Sequence, residues 1–233
     1  MRVSARFLAI SVTLTGCASL PRSATEQGEE MSTVWTVFFW AGVGVAGIVY
    51  GLILWSIVRY RRRTDSPPPQ FRGATGLEVT YTLIPVALVI MLFLLTLRAE
   101  TNVEEPVRDP IATVQVEAFD WSWRFSYEGT GVVIFGTPDE PPQMVLPVGR
   151  PVRLVLTSAD VIHSFYVPSF LFKRDAIPGR TTTFDLTMRE PGIYRGQCAE
   201  FCGLDHYRMR FSIRAVPSSQ FETWLAEEAG TPA

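Results

Sequence analysis

Uncharged residues run without a break from Val34 to Val58. As a helix rising about 1.5 Å per residue, that run reaches about 37 Å, enough to cross a hydrocarbon core of about 30 Å with some tilt. A second apolar run, Leu77 to Leu97, carries Glu78 near its start and Pro85 inside it. It predicts a second span, kinked at the proline. After a linker around Pro106 and Pro110 the pattern changes to short alternating stretches. Thr113–Ala118 alternates, and Pro151–Thr157 puts Val152, Leu154 and Leu156 on one face. Thr181–Thr187 and Tyr207–Ala215 behave likewise. Turn signals separate them, among them Glu128-Gly129, Pro141-Pro142, Pro178-Gly179 and Pro191-Gly192. Short strands at this spacing predict an antiparallel β-sandwich. Ser218 or Ser219 can cap a last helix from about Gln220 to Ala229.

Composition agrees with a membrane anchor: 47% of residues are hydrophobic and the mean hydropathy is +0.17. Trp35, Trp40 and Trp55 sit towards the ends of the first run, as interfacial anchors do. Gly42-Val43-Gly44-Val45-Ala46-Gly47 matches a dinucleotide-binding pattern, but no strand precedes it and the whole run is apolar, so that reading is rejected. Gly47 and Gly51 instead make a small face for helix packing. Arg59, Arg61, Arg62 and Arg63 follow the first run and mark its cytoplasmic end. Met1–Gly16 has the layout of an export signal, and Leu14-Thr15-Gly16-Cys17 has that of a bacterial lipobox, with Cys17 the lipidated residue. The net charge is −2, yet from Glu100 onward there are 18 acidic and 12 basic residues. An acidic C-terminal part disfavours nucleic acid and suits either a basic protein partner or a solvated surface.

The chain thus divides into a signal (1–16, lipobox ending at Cys17), an extracytoplasmic linker (17–33), a span (34–58), a cytoplasmic loop (59–76), a second span (77–98), a β-domain (105–216) and a C-terminal helix and tail (217–233). Candidate chemistry is concentrated in Cys198-Ala199-Glu200-Phe201-Cys202-Gly203-Leu204-Asp205-His206-Tyr207-Arg208-Met209. With His163 added, both histidines of the protein and two of its three cysteines fall in one candidate site. Sulfur and imidazole donors select copper or zinc over magnesium or calcium. A thioether is a donor that electron-transfer copper takes and zinc rarely does. Two thiolates, two imidazoles and a thioether suffice for two coppers. A Cys198–Cys202 disulfide and a structural Cys2His2 zinc site are the alternatives.

The C-x3-C-x3-H-x2-M loop resembles the binuclear copper loop of cytochrome c oxidase subunit 2. The resemblance extends over nearly all of residues 31–230. It implies a membrane-anchored all-β chain: a two-helix transmembrane hairpin followed by a cupredoxin-like greek-key β-sandwich. It further implies that Cys198 and Cys202 bridge two coppers, with His163 and His206 as ligands, Met209 as a weak ligand and the Glu200 carbonyl as another. The Glu200 carboxylate would reach a magnesium ion shared with subunit 1. Glu78-Val79-Thr80-Tyr81-Thr82-Leu83-Ile84-Pro85 is similar to a stretch whose Glu marks the mouth of a proton path. Lys173–Arg180 resembles the turn that packs against subunit 1 near its haem propionates. Phe119–Phe125 reads as alternate core aromatics, and the resemblance singles out Trp121 as the point where cytochrome c delivers its electron. The family often has an amide before this Trp, where this chain has Asp120.

The resemblance therefore implies subunit 2 of a bacterial haem–copper oxidase in the plasma membrane, with the C-terminal domain outside. Partners would be subunit 1, which holds the haem and reduces oxygen, subunit 3, and cytochrome c as donor. Other readings are the copper subunit of a nitric-oxide-reducing relative and a membrane-anchored copper-delivery protein.

Overall fold

The computed structural model describes residues 22–62 and 73–230; Cys17 and the export signal lie outside the described residues. Two long helices come first, α1 (Glu26–Arg59) and α2 (Thr75–Glu104). They reach about 51 and 45 Å at about 1.5 Å per residue, and both are long and apolar enough to cross a membrane. Ile48, Leu52, Trp55, Leu83, Ile90 and Phe93 point outward and are exposed. That is the surface expected of helices whose solvent is lipid rather than water.

Both helices extend beyond their apolar runs. α1 begins about two turns before Val34, so residues 26–33 of the expected linker are helical. The Thr25 hydroxyl accepts from the Gly28 N–H at 3.0 Å, and Glu26 and Glu29 lie in the first turn, where the helix dipole favours negative charge. α2 passes through Pro85 and continues to Glu104, taking up part of the linker expected after the second span.

These extensions tie the helices to the β-domain. The Ala24 N–H donates to Ser169 O (2.8 Å), the Arg189 N–H to Ala24 O (2.9 Å) and the Thr187 N–H to Gln27 Oε1 (3.1 Å). Arg189 also pairs with Glu29. Gly28 is buried here because no side chain fits: a Cβ would stand 2.4 Å from the Phe170 carbonyl. At the end of α2, Glu104 pairs with Arg174. Asp185 then accepts from the Val107 N–H at 2.6 Å and from Arg153 through two bonds of 2.8 Å, while Arg153 also donates to Val107 O.

The β-domain is a sandwich of two five-stranded sheets. One runs β3 (Val133–Phe135), β2 (Ser122–Tyr127), β1 (Ala112–Phe119), β5 (Pro151–Ser158), β8 (Thr182–Thr187). The other runs β4 (Gln143–Pro147), β10 (Arg210–Val216), β9 (Gly192–Cys198), β6 (His163–Val167), β7 (Phe172–Ala176). This is the cupredoxin-like sandwich that the resemblance implies. It is not purely antiparallel, because β1 pairs with β5 and β4 with β10 in parallel. Alternation sets the inward face: Val114, Val116 and Ala118 of β1 and Val152, Leu154 and Leu156 of β5 are buried.

Trp123, Phe125, Phe165 and Phe211 fill the centre. Phe165 stacks on Phe211 at 4.6 Å between ring centres, and Trp123 meets Phe211 edge-on at 5.1 Å. Gly196 of β9 lies opposite Phe211 of β10 and leaves room for that ring. The strand expected to start at Tyr207 starts instead at Arg210, since 206–208 form a short turn within the preceding loop. The last helix, α3 (Ser218–Ala229), begins after Pro217 with no side-chain cap; the Ser218 hydroxyl donates to Val148 O instead.

A Cβ at Gly196 would lie 2.2 Å from Phe211 Cζ, and that ring is held on several sides by other aromatics. Gly196→Ala should therefore destabilise the domain by about 1–3 kcal/mol through overpacking. Thermal unfolding of the full chain in detergent measures this, and an unchanged Tm would contradict the packing described.

Candidate metal centre

One end of the second sheet gathers the sulfur and imidazole side chains. β9 ends at Cys198, β6 begins at His163, and residues 199–209 form the loop from β9 to β10. The Cys198 N–H donates to Met209 O (2.9 Å), closing the loop at its base, and the Ala199 N–H donates to Ser164 O (3.1 Å), fastening it to β6. The turn at His206–Arg208 aims His206 back at the cysteines.

The result is a compact donor set. Cys198 Sγ and Cys202 Sγ are 3.9 Å apart. His163 Nδ1 lies 3.9 Å from Cys198 Sγ, and His206 Nδ1 lies 3.5 Å from Cys202 Sγ. Met209 Sδ is 3.8 Å from Cys202 Sγ, and the Glu200 carbonyl oxygen is 3.2 Å from Cys198 Sγ. Cys198, Cys202, Met209 and His163 are buried. A disulfide is absent, since its sulfurs would be about 2.05 Å apart, and Cys198 and Cys202 are free thiols.

This geometry fits soft metal ions. The two sulfurs are closer than twice a metal–thiolate bond of about 2.3 Å, so one ion can touch both. Each sulfur has its own imidazole nitrogen and one further donor, a thioether on one side and a carbonyl on the other. A single tetrahedral zinc ion would leave two of these six donors unused.

Charge balance in the site follows from the sulfur spacing. Burial raises the Cys198 pKa, but hydrogen bonds with His163, the backbone of Ser164 and Glu200, and His206 outweigh it and bring it down to about 7. Burial and the neighbouring Cys198 charge push Cys202 up to about 12. Two thiolates this close repel, so Cys202 holds its proton well beyond the pH at which Cys198 loses its own. Burial opposes a charge on His163, yet Cys198 and Asp160 hold its pKa above the ordinary imidazole value.

Asp160 is a residue that the sequence reading gave no role. His163 Nε2 donates to Asp160 Oδ1 at 2.7 Å, leaving Nδ1 to face Cys198. Asp160 is fixed in turn by the N–H groups of Val161 and Asp120, both at 2.6 Å. Burial raises its pKa, but these bonds and His163 hold it below the usual carboxylate value. A carboxylate three residues before a candidate ligand histidine was the available signal, because ligand imidazoles characteristically donate their second N–H to such a group.

Trp121 sits in the β1–β2 turn, half-buried, with Nε1 donating to Cys202 O at 3.1 Å. Glu200 is divided between two environments: its carbonyl faces Cys198, whereas its carboxylate pairs with Lys173, which also bonds Asp175 at 3.0 Å. Glu78 is not brought to this site; it lies in the first turn of α2, beside Thr75, Val79, Thr82 and Leu83. Phe201, Leu204 and Tyr207 of the loop are exposed.

Comparison with known proteins places this chain in a family. Residues 137–216 match the family model described as cytochrome c oxidase subunit II, periplasmic domain. A probable cytochrome c oxidase subunit 2 of Streptomyces coelicolor is 34% identical over 267 aligned positions, covering 94% of this chain and 84% of the relative. Cytochrome c oxidase subunit 2 of Alkalihalophilus pseudofirmus is 30% identical, covering 96% and 68%. Among solved structures, the periplasmic domain of subunit II of the Bradyrhizobium japonicum cytochrome oxidase is 32% identical, with a TM-score of 0.48 over 53% of this chain and 96% of that one. With relatives aligned across both apolar helices and the sandwich that carries the sulfur loop, this chain belongs to the cytochrome c oxidase subunit 2 family and is an oxidoreductase subunit of respiratory electron transport.

Proposed function

We propose that this chain accepts electrons from cytochrome c at a binuclear copper centre and relays them to haem in subunit 1, where oxygen is reduced. The observation that carries the reading is the pair of buried sulfurs, each faced by its own imidazole Nδ1. Cys198 and Cys202 would hold both ions, His163 and His206 one each, and Met209 Sδ and Glu200 O would complete the set. When bound, such a copper pair supplies a one-electron carrier. The protein supplies rigidity: backbone bonds at Cys198 and Ala199 fix the loop, and Asp160 fixes the orientation and tautomer of His163. A carrier whose surroundings barely move on gaining an electron has little reorganisation to overcome. A copper-delivery role suits this site poorly, because exchange needs exposed donors and both cysteines, His163 and Met209 are buried.

Further roles follow from the resemblance and from position. Trp121 is the point where the electron enters, and its contact with Cys202 O supports this. The Glu200 carboxylate would meet a magnesium ion shared with subunit 1; oxygen ligands suit that ion, and Lys173 holds the place in the chain alone. Glu78, at the end of α2 opposite the sandwich, would take up protons from the cytoplasm. Arg59, Arg61 and Arg62 put the α1–α2 connection inside and the sandwich outside the plasma membrane. Residues 1–16 would be removed and Cys17 lipidated.

Three outcomes test this reading. Metal binds the thiolate rather than the thiol, so copper uptake by the metal-free chain should quicken as pH rises towards about 7, where Cys198 ionises. Uptake independent of pH between about 5 and 7 would contradict the thiolate account. In the assembled oxidase, rapid mixing with reduced cytochrome c should reduce the copper site before the haem. Glu78→Gln should slow steady turnover severalfold while leaving copper content and that first reduction unchanged. Haem reduced first would sink the relay, and unaltered turnover would remove Glu78 from the proton path.

A further inference from the structure

The β1–β2 turn belongs to the first sheet, yet it places Trp121 on the sulfur loop of the second. Two features of the loop receive the indole. The Cys202 carbonyl accepts from Nε1 at 3.1 Å. The next residue, Gly203, presents only its Cα: a Cβ there would lie 3.2 Å from Trp121 Nε1 and 3.3 Å from Cζ2. Both distances are shorter than the separations of about 3.5–4.0 Å at which carbon atoms pack. The N–H edge of the ring therefore rests directly on the Cys202–Gly203 peptide. From the indole to Cys202 Sγ the route is one hydrogen bond followed by the covalent bonds of a single residue.

We infer that Gly203 is a positioning residue for electron uptake: by presenting no side chain, it lets Trp121 bond the Cys202 carbonyl, and the incoming electron reaches the sulfur through that contact. This rests on Trp121 being the point of uptake and goes further by naming the route inward and the residue that keeps it open. No covalent bond forms or breaks; the donor loses one electron and the copper site gains it. Gly203 also has φ +119°, a conformation side chains rarely adopt. A glycine needed only for that turn would leave the indole contact irrelevant to uptake, and the experiment separates the two.

Full-length chain carrying Gly203→Ala, Trp121→Phe or Trp121→Ala is prepared copper-free and, separately, within the assembled oxidase. In the copper-free chain, ultraviolet resonance Raman reads the indole N–H band of Trp121, assigned by its loss in Trp121→Phe. In Gly203→Ala that band should shift towards a weaker hydrogen bond. In the oxidase, Gly203→Ala should keep its copper and its KM for cytochrome c, while the rate of copper-site reduction falls severalfold. Trp121→Phe, which keeps a ring but removes the N–H, should slow reduction as well. An unshifted band, or normal reduction in a copper-replete Gly203→Ala oxidase, overturns the inference. Should Gly203→Ala fail to fold, the phenylalanine variant decides: normal reduction there with slow reduction in Trp121→Ala overturns the hydrogen-bond route but leaves Trp121 as the point of uptake. Normal reduction in both Trp121 variants overturns that assignment too.

Discussion

Two cysteine sulfurs held 3.9 Å apart in a buried pocket are an arrangement that a polypeptide resists. Both cannot ionise cheaply without a cation between them, and Cys202 keeps its proton where Cys198 can lose its own. The domain nonetheless holds the pair in place. β9 and β10 close the loop at its base, β6 supplies His163 and a second backbone anchor, and Asp160 binds the far side of the imidazole. Aromatic packing of Trp123, Phe165 and Phe211 lies directly beneath and keeps this end of the sandwich stiff. Stiffness is what a one-electron carrier needs, so under the proposed function the packing of the core and the chemistry of the loop serve the same end.

The sandwich is also held against its helices. Polar contacts at Ala24, Gln27 and Glu29 fix the start of α1, and those at Glu104 and Val107 fix the end of α2. β8 takes part in both attachments, through Thr187 and Asp185. Arg153, partly buried, gives the buried Asp185 carboxylate its counter-charge, so that neither is left as an isolated charge away from water. A loose tether would let the sulfur loop wander relative to the two helices. These contacts instead tie the sandwich to both helices.

How much of this was legible in the sequence differed from element to element. The apolar runs gave both long helices, and strict alternation gave β1, β5 and β8 almost to the residue. The ligand loop stood out because its spacing and donor types are so unusual. Helix ends were misjudged because hydropathy marks the lipid-facing part alone; the first turns of α1 are polar and owe their helicity to the Thr25 cap and to docking. The parallel pairings of β1 with β5 and β4 with β10 join distant segments, and nothing local encodes them. Tyr207–Met209 alternated like a strand but lies in a short turn closed by the Arg208 and Met209 N–H groups on the Asp205 and His206 carbonyls. Asp160 escaped notice because a carboxylate in a loop looks like any solvated one until the fold brings an imidazole to it. Gly203 has no side chain to signal a role, and its contact with Trp121 exists only across two sheets.

The most direct test of the copper reading is metal content together with low-temperature electron paramagnetic resonance on the full chain after copper reconstitution. Two coppers per chain sharing one unpaired electron, seen as hyperfine splitting from two equivalent nuclei, is the predicted result. One copper with a mononuclear signal, or tightly held zinc without redox activity, would contradict it.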